Sequence, residues 1–378
     1  WFAMTIFQMM EEEGVELLLH SLVVDVVQDD NKVTGVVVEN TNGTMIINGK
    51  VIVDCTGEGD IASRAGAPWE YVDRKTVQPH TISFTMDGVD WEKVLDYVHN
   101  NPDQLMWFEH VLPHWSDERK EEAHQKALEF YKTCDDPAMF GEMMGFFKFR
   151  DEALPKGDWH PYSGVGFFLT PREGGHIQAH MQHSSQVPEI LTDDAWDLTK
   201  GEIECRRQNA MAVEFFRKYI PGFENAYLTR MCPEMRLREG RRIMGDYKLT
   251  RDDVAAGREF PDVIAKSHFK AGAHHTTDNN TIAQVEKVCP KDDGSYDIPY
   301  RCLVPKEVEN MLIAGKHVST DRDAYLRYLH QTMQTGQAAG AAAALCVKNG
   351  VTPRELEQNV SELQGILREQ GVILEGIQ

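Results

Sequence analysis

The stretch YDIPYRCLVPKEVENMLIAGKHVS, residues 296–319, with TGQAAGAAAALCVKNG, residues 335–350, decides how this chain is read. In the first piece a short apolar strand, Met311 to Ala314, ends on Gly315 and opens into a polar loop. In the second, Gly336 is expected to open a helix whose first turns are Gln337, Ala338, Ala339 and Gly340. A helix start without bulky side chains lets a flat or phosphorylated ligand rest on free backbone N–H groups, and the helix dipole favours negative charge there. Alanine and glycine also suit close packing of a helix on a sheet, so the alanine run alone leaves two readings open. The strand, glycine and loop ahead of it favour a cofactor site.

Composition bounds the rest. The chain has 378 residues, enough for a large core and two lobes. Its net charge is −21, from 39 Lys+Arg against 60 Asp+Glu, which argues against nucleic acid or an anionic membrane as main partner. No apolar run approaches the length of a membrane span; the longest small-apolar stretch is Ala338 to Val347. The seven cysteines are odd in number and none is spaced C-x-x-C, which fits free thiols in a reducing, cytoplasmic setting. The chain starts at Trp1, so the absence of a signal peptide there carries little weight.

Toward the N-terminus, residues 1–13 read as the tail of an amphipathic helix closed by Gly14. VELLLH (15–20), LVVDVV (22–27), VTGVVVEN (33–40) and MIINGKVIVDC (45–55) read as a β-meander leading to a buried strand, Val51 to Cys55, with Asn42-Gly43 as a hairpin turn. TGEGDIASRAGAP (56–68) follows. Gly57, Gly59 and Ala62 spell G-x-G-x-x-A, but Gly66-Ala67-Pro68 leaves no room for a crossover helix, so a cofactor-touching loop is expected rather than a pyrophosphate cradle. An NAD-only dehydrogenase is disfavoured for the same reason.

Residues 75–290 differ in texture. Helices are expected near Trp91–Asn100, Ser116–Lys132 and Thr199–Tyr219, and a capping box at Thr250 and Asp253 opens another. Strands are expected near Thr81–Met86, Gly164–Thr170, Ile177–Met181 and Ile282–Val288, and a last helix over about Glu355 to Gln370. With α/β material at both ends, the expected organisation is 1–72 and 295–378 as one discontinuous domain and 73–294 as an insertion, with the site at their junction.

The ordered set GVELLLHSLVVDVV, VTGVVVEN, VIVDCTGEGDIASRAGAP, REGRRIMGDY, DIPYRCLVP, NMLIAGKHVS and TGQAAGAAAAL resembles the FAD-dependent oxidoreductases of the glutathione-reductase-like class, related to fumarate reductase flavoprotein subunits. The resemblance implies an α/β fold: a discontinuous Rossmann-like FAD/NAD(P)-binding domain, incomplete at the N-terminus, with an inserted α+β substrate or cap domain. It implies non-covalent FAD. It implies cofactor contacts from the backbone near Val23, from Thr56, Gly57, Glu58 and Asp60, from Gly315, Lys316 and His317, from Arg327, and from Thr335, Gly336, Gln337, Ala338 and Ala339 at the pyrimidine edge of the flavin. Glu58 stands where such proteins more often carry Asp. One departure matters. The leading strand and G-x-G-x-x-G helix that hold the FAD pyrophosphate are absent from these residues, so an upstream segment or a partner chain is expected to supply them.

Hydride transfer to a flavin needs an acid or base for the accompanying proton. His274 and His275 in AGAHHTTDNNT suit that role, against a reading as loop histidines bonded to Asp278 or solvent. Arg238, Arg241 and Arg242 could clamp a carboxylate or orient a flavin carbonyl, against internal salt bridging in an acidic protein. Tyr300, beside Arg301, could line the pocket. His176, His180 and His183 have helical metal-site spacing, but the Gly174-Gly175 pair and apolar alternation suit a strand, and no metal is expected. The expected function is hydride transfer between FAD and a small organic molecule. The alternative is a non-catalytic subunit or fragment that completes a flavoprotein with a separate nucleotide-binding chain. A homo-oligomer is left open, as are the substrate and the electron partner.

Overall fold

The computed structural model describes residues 2–106, 115–272, 274–277, 280–285, 288–291 and 294–375, with the backbone alone over 274–277 and 280–285. A helix, Phe2–Glu12, ends at Gly14. The meander follows as strands Leu22–Asp29, Lys32–Asn40 and Gly43–Asn48, antiparallel, with Val26 opposite Val36 and Val37 opposite Ile46. The expected strand at 15–20 does not form. His20 at φ 53° breaks the extended backbone, and Leu17, Leu18 and Leu19 stay exposed.

The strand Ile52–Asp54 pairs in parallel with Met311–Ile313, which joins the two ends of the chain. Around this pair lies the largest core, built from Val33, Ile61 and Ala62 on one side of the sequence and Leu312, Ile313, Ala338, Ala339 and Ala342 on the other. The same core takes in Ile243, Leu249, Val254, Ile264 and Ala271, so the chain returns to it well before residue 295. The capping box is present: Thr250 accepts from Asp253 N, and Asp253 accepts from Thr250 N.

Between these parts stands an antiparallel sheet in the order Tyr227–Met231, Phe84–Asp87, Ile177–Met181, Val165–Pro171, Glu142–Gly145. Helices Trp91–Asn100, Asp117–Thr133 and Ala195–Tyr219 accompany it. The last begins ahead of Thr199 because Asp194 accepts the N–H groups of Trp196 and Asp197. A second core, rich in aromatic rings, fills this unit; Trp159 and Phe215 lie 4.5 Å apart between centroids, and Phe167 and Phe223 5.1 Å.

Three C-terminal expectations are corrected. The alanine-rich helix runs from Leu329 to Asn349, so Gly336 sits two turns inside it and opens nothing. Its first turn is fixed by buried Gln331, whose amide donates to Ser267 Oγ at 3.1 Å and Tyr296 OH at 3.0 Å. Burial of Thr335, Ala338, Ala339 and Ala342 then outweighs the poor helix propensity of two glycines. Within the polar stretch at 271–281 and the strand expected at 282–288, the described strands His274–Thr277 and Asn280–Val285 pair antiparallel. The last helix is broken into Pro353–Leu356, capped by Thr352, and Val360–Glu369. Among the described residues no cysteine is in a disulfide. Among the described residues no helix is long and apolar enough to cross a membrane.

Candidate functional site

The parallel strand pair delivers two loops side by side. After Ile52–Asp54 comes Cys55 to Asp60; after Met311–Ile313 comes Gly315 to Thr320. Asp54, fully buried, organises the first. Its Oδ1 accepts from Thr56 N at 2.9 Å and Thr56 Oγ at 2.7 Å, and its Oδ2 accepts from Ile61 N at 3.0 Å and Ala62 N at 2.9 Å. One carboxylate thus closes the turn and satisfies the short helix Asp60–Arg64. Gly59 takes φ 65°, and a Cβ there would lie 2.7 Å from Ile243.

Lys316 of the second loop pairs with Glu58 of the first, and Thr192 of the inserted unit donates to the same carboxylate. Arg241 donates to Asp60 at 2.9 Å and to the Glu58 carbonyl at 3.1 Å, with its guanidinium 5.5 Å from the Trp69 ring centroid. A Cβ on Gly240 would run into the Glu58 carboxylate. The TGEGD loop is therefore held by both units. Gly315 N donates to Thr335 Oγ1 at 3.1 Å, which ties the second loop to the long helix.

His317 is fully buried, and neither ring nitrogen has a hydrogen-bond partner; Nε2 lies 3.7 Å from Asp54 Oδ1. Burial lowers its pKa and keeps the ring neutral. His80 is neutral as well, lowered by burial to about 4, with Nε2 against the Ile190 carbonyl at 3.1 Å and Nδ1 accepting from Arg238 N at 3.1 Å.

The arginines divide. Arg242 pairs with buried Glu239, which also accepts from Gln78 N and Arg322 Nε. Arg241 is taken up by Asp60. These two fulfil the salt-bridge reading. Arg238 does not: it is 2% exposed, donates to His183 Nδ1 at 3.1 Å, and leaves Nε without a partner. Arg327, half-buried, likewise has an unpartnered Nε, with its guanidinium 5.0 Å from the Tyr328 ring centroid. Burial holds Arg238 well below the ordinary guanidinium range, and the charges of Arg236 and Arg327 lower it further.

Thr56, Gly57, Glu58, Asp60, Gly315, Lys316, His317 and Thr335 form one connected arrangement. Other expected residues stand apart. Ala338 and Ala339 are fully buried in the core, a consequence of the helix beginning at Leu329. The open side of that helix carries Gly336 and Gly340, where a Cβ would meet nothing within 4 Å, beside exposed Leu329 and Met333. Gln337 is exposed and donates to Gln370 at 3.1 Å. Val23 lies half-buried in the meander opposite Val38. Tyr300 is fully buried in the core, and its hydroxyl donates to the Pro353 carbonyl at 2.9 Å. His274 and His275 are strand residues whose side chains lie outside the described part of the structure. His176 bonds Asp87 at 2.8 Å and His183 serves Arg238, so the histidine spacing reflects a strand.

Sequence reasoning missed Asp54, Thr192, Arg236 and the pairing of His183 with Arg238. Asp54 had a local signal, an acidic residue closing an apolar strand two positions before Thr56. The others meet only through long-range packing.

A geranylgeranyl bacteriochlorophyll reductase-like protein from Thermoplasma acidophilum is 12% identical with a TM-score of 0.26, covering 57% of this chain and 36% of that one. A flavin-dependent brominase is 16% identical with a TM-score of 0.31, covering 65% and 48%. L-proline dehydrogenase from P. horikoshii is 11% identical with a TM-score of 0.29, covering 90% and 53%. The chain thus spans from 36% to 53% of the length of these structures. No curated protein matches it. Residues 2–367 match the family described as FAD dependent oxidoreductase, and the chain belongs to that family.

Proposed function

We propose that this chain is the substrate-facing part of a flavoenzyme that exchanges a hydride between FAD and a small organic molecule at the seam between its two cores. The observation that carries this reading is the double grip on the TGEGD loop. Lys316 holds it from the cofactor side, while Arg241 and Thr192 hold it from the inserted unit. A loop fixed from both sides joins a cofactor site to a substrate site.

FAD is the cofactor of the family, and the residues present fit it. His317 is buried with both ring nitrogens unpartnered, and the helix face at Gly336 and Gly340 lies open. Thr56, Gly57 and Lys316, with the Gly336 face, would hold the group, which supplies hydride acceptance and donation when bound. Lys316 would contribute a cation that Glu58 keeps in place. Arg238 and Arg327 would orient substrate. The accompanying proton is assigned to His274 or His275 on residue type alone. The two cores support a division in which 2–72 and 243–375 form the cofactor unit and 73–242 the inserted unit.

The test is anaerobic mixing of the complete, purified protein with a panel of small alcohols, hydroxy acids and enoic acids, read by flavin absorbance. Bleaching or recolouring by one class, abolished in Lys316→Met, is the expected result. A flavin that exchanges electrons with none of them contradicts the reading.

A second reading has its own observation. Val15, Leu17, Leu18, Leu19, Leu22 and Ile46 are exposed along the N-terminal segment and meander, more apolar surface than an isolated unit normally leaves to water. A further segment or a separate chain that covers this face would make the chain one component of a flavoprotein. Intact mass and co-elution from the native source decide between them.

A further inference from the structure

Arg236, Arg238 and Arg327 converge without a counter-ion. Arg238 is 2% exposed with Nε unpartnered, and Arg327 also has a buried, unpartnered Nε. Arg236, two residues before Arg238, is held by the backbone bridge to Thr81 and reaches the surface. Among the described residues no carboxylate is ion-paired with any of the three. The acidic groups around them are already engaged: Glu58 by Lys316, Asp60 by Arg241, Glu239 by Arg242 and Arg322.

The one side-chain partner of Arg238 sharpens the chemistry. A guanidinium only donates, so His183 accepts through Nδ1 and carries its proton on Nε2. Burial and the surrounding arginines keep His183 neutral. The cluster is therefore rich in N–H donors, the arginine forks and the imidazole N–H, with Tyr328 beside them. In a chain with 60 acidic residues against 39 basic ones, a buried donor cluster that no carboxylate neutralises suits an anion. Burying a guanidinium uncompensated is costly, and a planar two-oxygen anion offsets that cost through paired N–H bonds.

We propose that Arg238 and Arg327, with Arg236 at the rim, bind the carboxylate of the substrate, which makes that substrate a small organic acid. This rests on the flavoenzyme reading above and deepens it. It also replaces the clamp suggested by sequence spacing, because Arg241 and Arg242 already have partners. The same donors would accept a phosphate of the cofactor, and the test separates the two sources.

The complete flavoprotein is titrated with succinate, acetate and inorganic phosphate against chloride at constant ionic strength, reading melting temperature and FAD content. The expected result is a carboxylate-dependent rise in melting temperature. In Arg327→Gln the succinate affinity falls about tenfold or more, with FAD content per chain unchanged. Arg236→Gln gives a smaller loss, and serves if Arg238→Lys does not fold. Loss of FAD from Arg327→Gln, with phosphate binding as well as succinate, overturns the proposal in favour of a cofactor phosphate site. Carboxylates that act no differently from chloride also overturn it. Melting temperature does not depend on flavin reduction. A protein that binds succinate yet never reduces its flavin keeps this proposal and loses the hydride-transfer reading.

Discussion

At the scale of single residues, the site is built on polar groups buried with exact partners or with none. Gly240 is one test. A methyl group there meets the Glu58 carboxylate that Lys316 and Thr192 hold, so Gly240→Ala is expected to destabilise by about 1–3 kcal/mol, measured by urea unfolding. Unchanged stability would show that Glu58 is free to move. Buried histidines give the protein a pH signature. His80 and His160 are each lowered by burial to about 4 from 6.5. Their folded-state pKa lies below the unfolded value, so the unfolded chain binds more protons between those limits. Their contribution is complete at neutral pH and is lost as pH falls from about 6.5 toward 4. Each is expected to withdraw roughly 2 kcal/mol by about pH 5, read as lower urea midpoints. Equal midpoints at neutral pH and pH 5 would contradict the placement of these rings.

At the scale of elements, the helix Leu329–Asn349 has a packed side and an open side. Its buried side, Thr335, Ala338, Ala339 and Ala342, faces the core; its open side carries Gly336 and Gly340. Gly336→Ala and Gly340→Ala should each raise stability, by up to about 1 kcal/mol, because a methyl group meets nothing and helix propensity improves. If that face holds FAD, the same changes should weaken flavin binding. Ala338→Leu should do the reverse of stabilising, costing about 1–3 kcal/mol through overpacking. The alanine run was legible in the sequence as close packing or ligand contact; the helix packs Ala338, Ala339 and Ala342 into the core and leaves Gly336 and Gly340 open on its other side. The helix start was not legible, since its local tie, Tyr328 N donating to Gln331 Oε1 at 3.3 Å, rests on a tyrosine and not on one of the usual cap residues. Buried Gln331 fixes that start through Ser267 and Tyr296, partners far away in sequence. Strands with alternation and helices with side-chain caps at Asp90, Ser116 and Thr250 were readable because their determinants are local. For Tyr300 the burial was not legible: its neighbours in sequence pointed to the cofactor strand, while its ring packs in the core.

At the scale of the whole molecule, the parallel pairing of Ile52–Asp54 with Met311–Ile313 makes two distant loops into one surface, and the inserted unit closes on it through Arg241 and Thr192. The discontinuous organisation was visible in the texture of the sequence. The clasp was not, because the ion pair of Glu58 with Lys316 joins distant parts of the sequence within one unit, and that of Asp60 with Arg241 exists only once both units have folded. The claim that matters most is that this clasped surface is where FAD binds. The most direct measurement is the visible absorbance spectrum of the complete protein and of Lys316→Met, which removes the cation of the clasp, with circular dichroism confirming that the variant is folded. The account predicts flavin bands in the first and their loss from the folded variant. A variant that retains its full flavin content would contradict it.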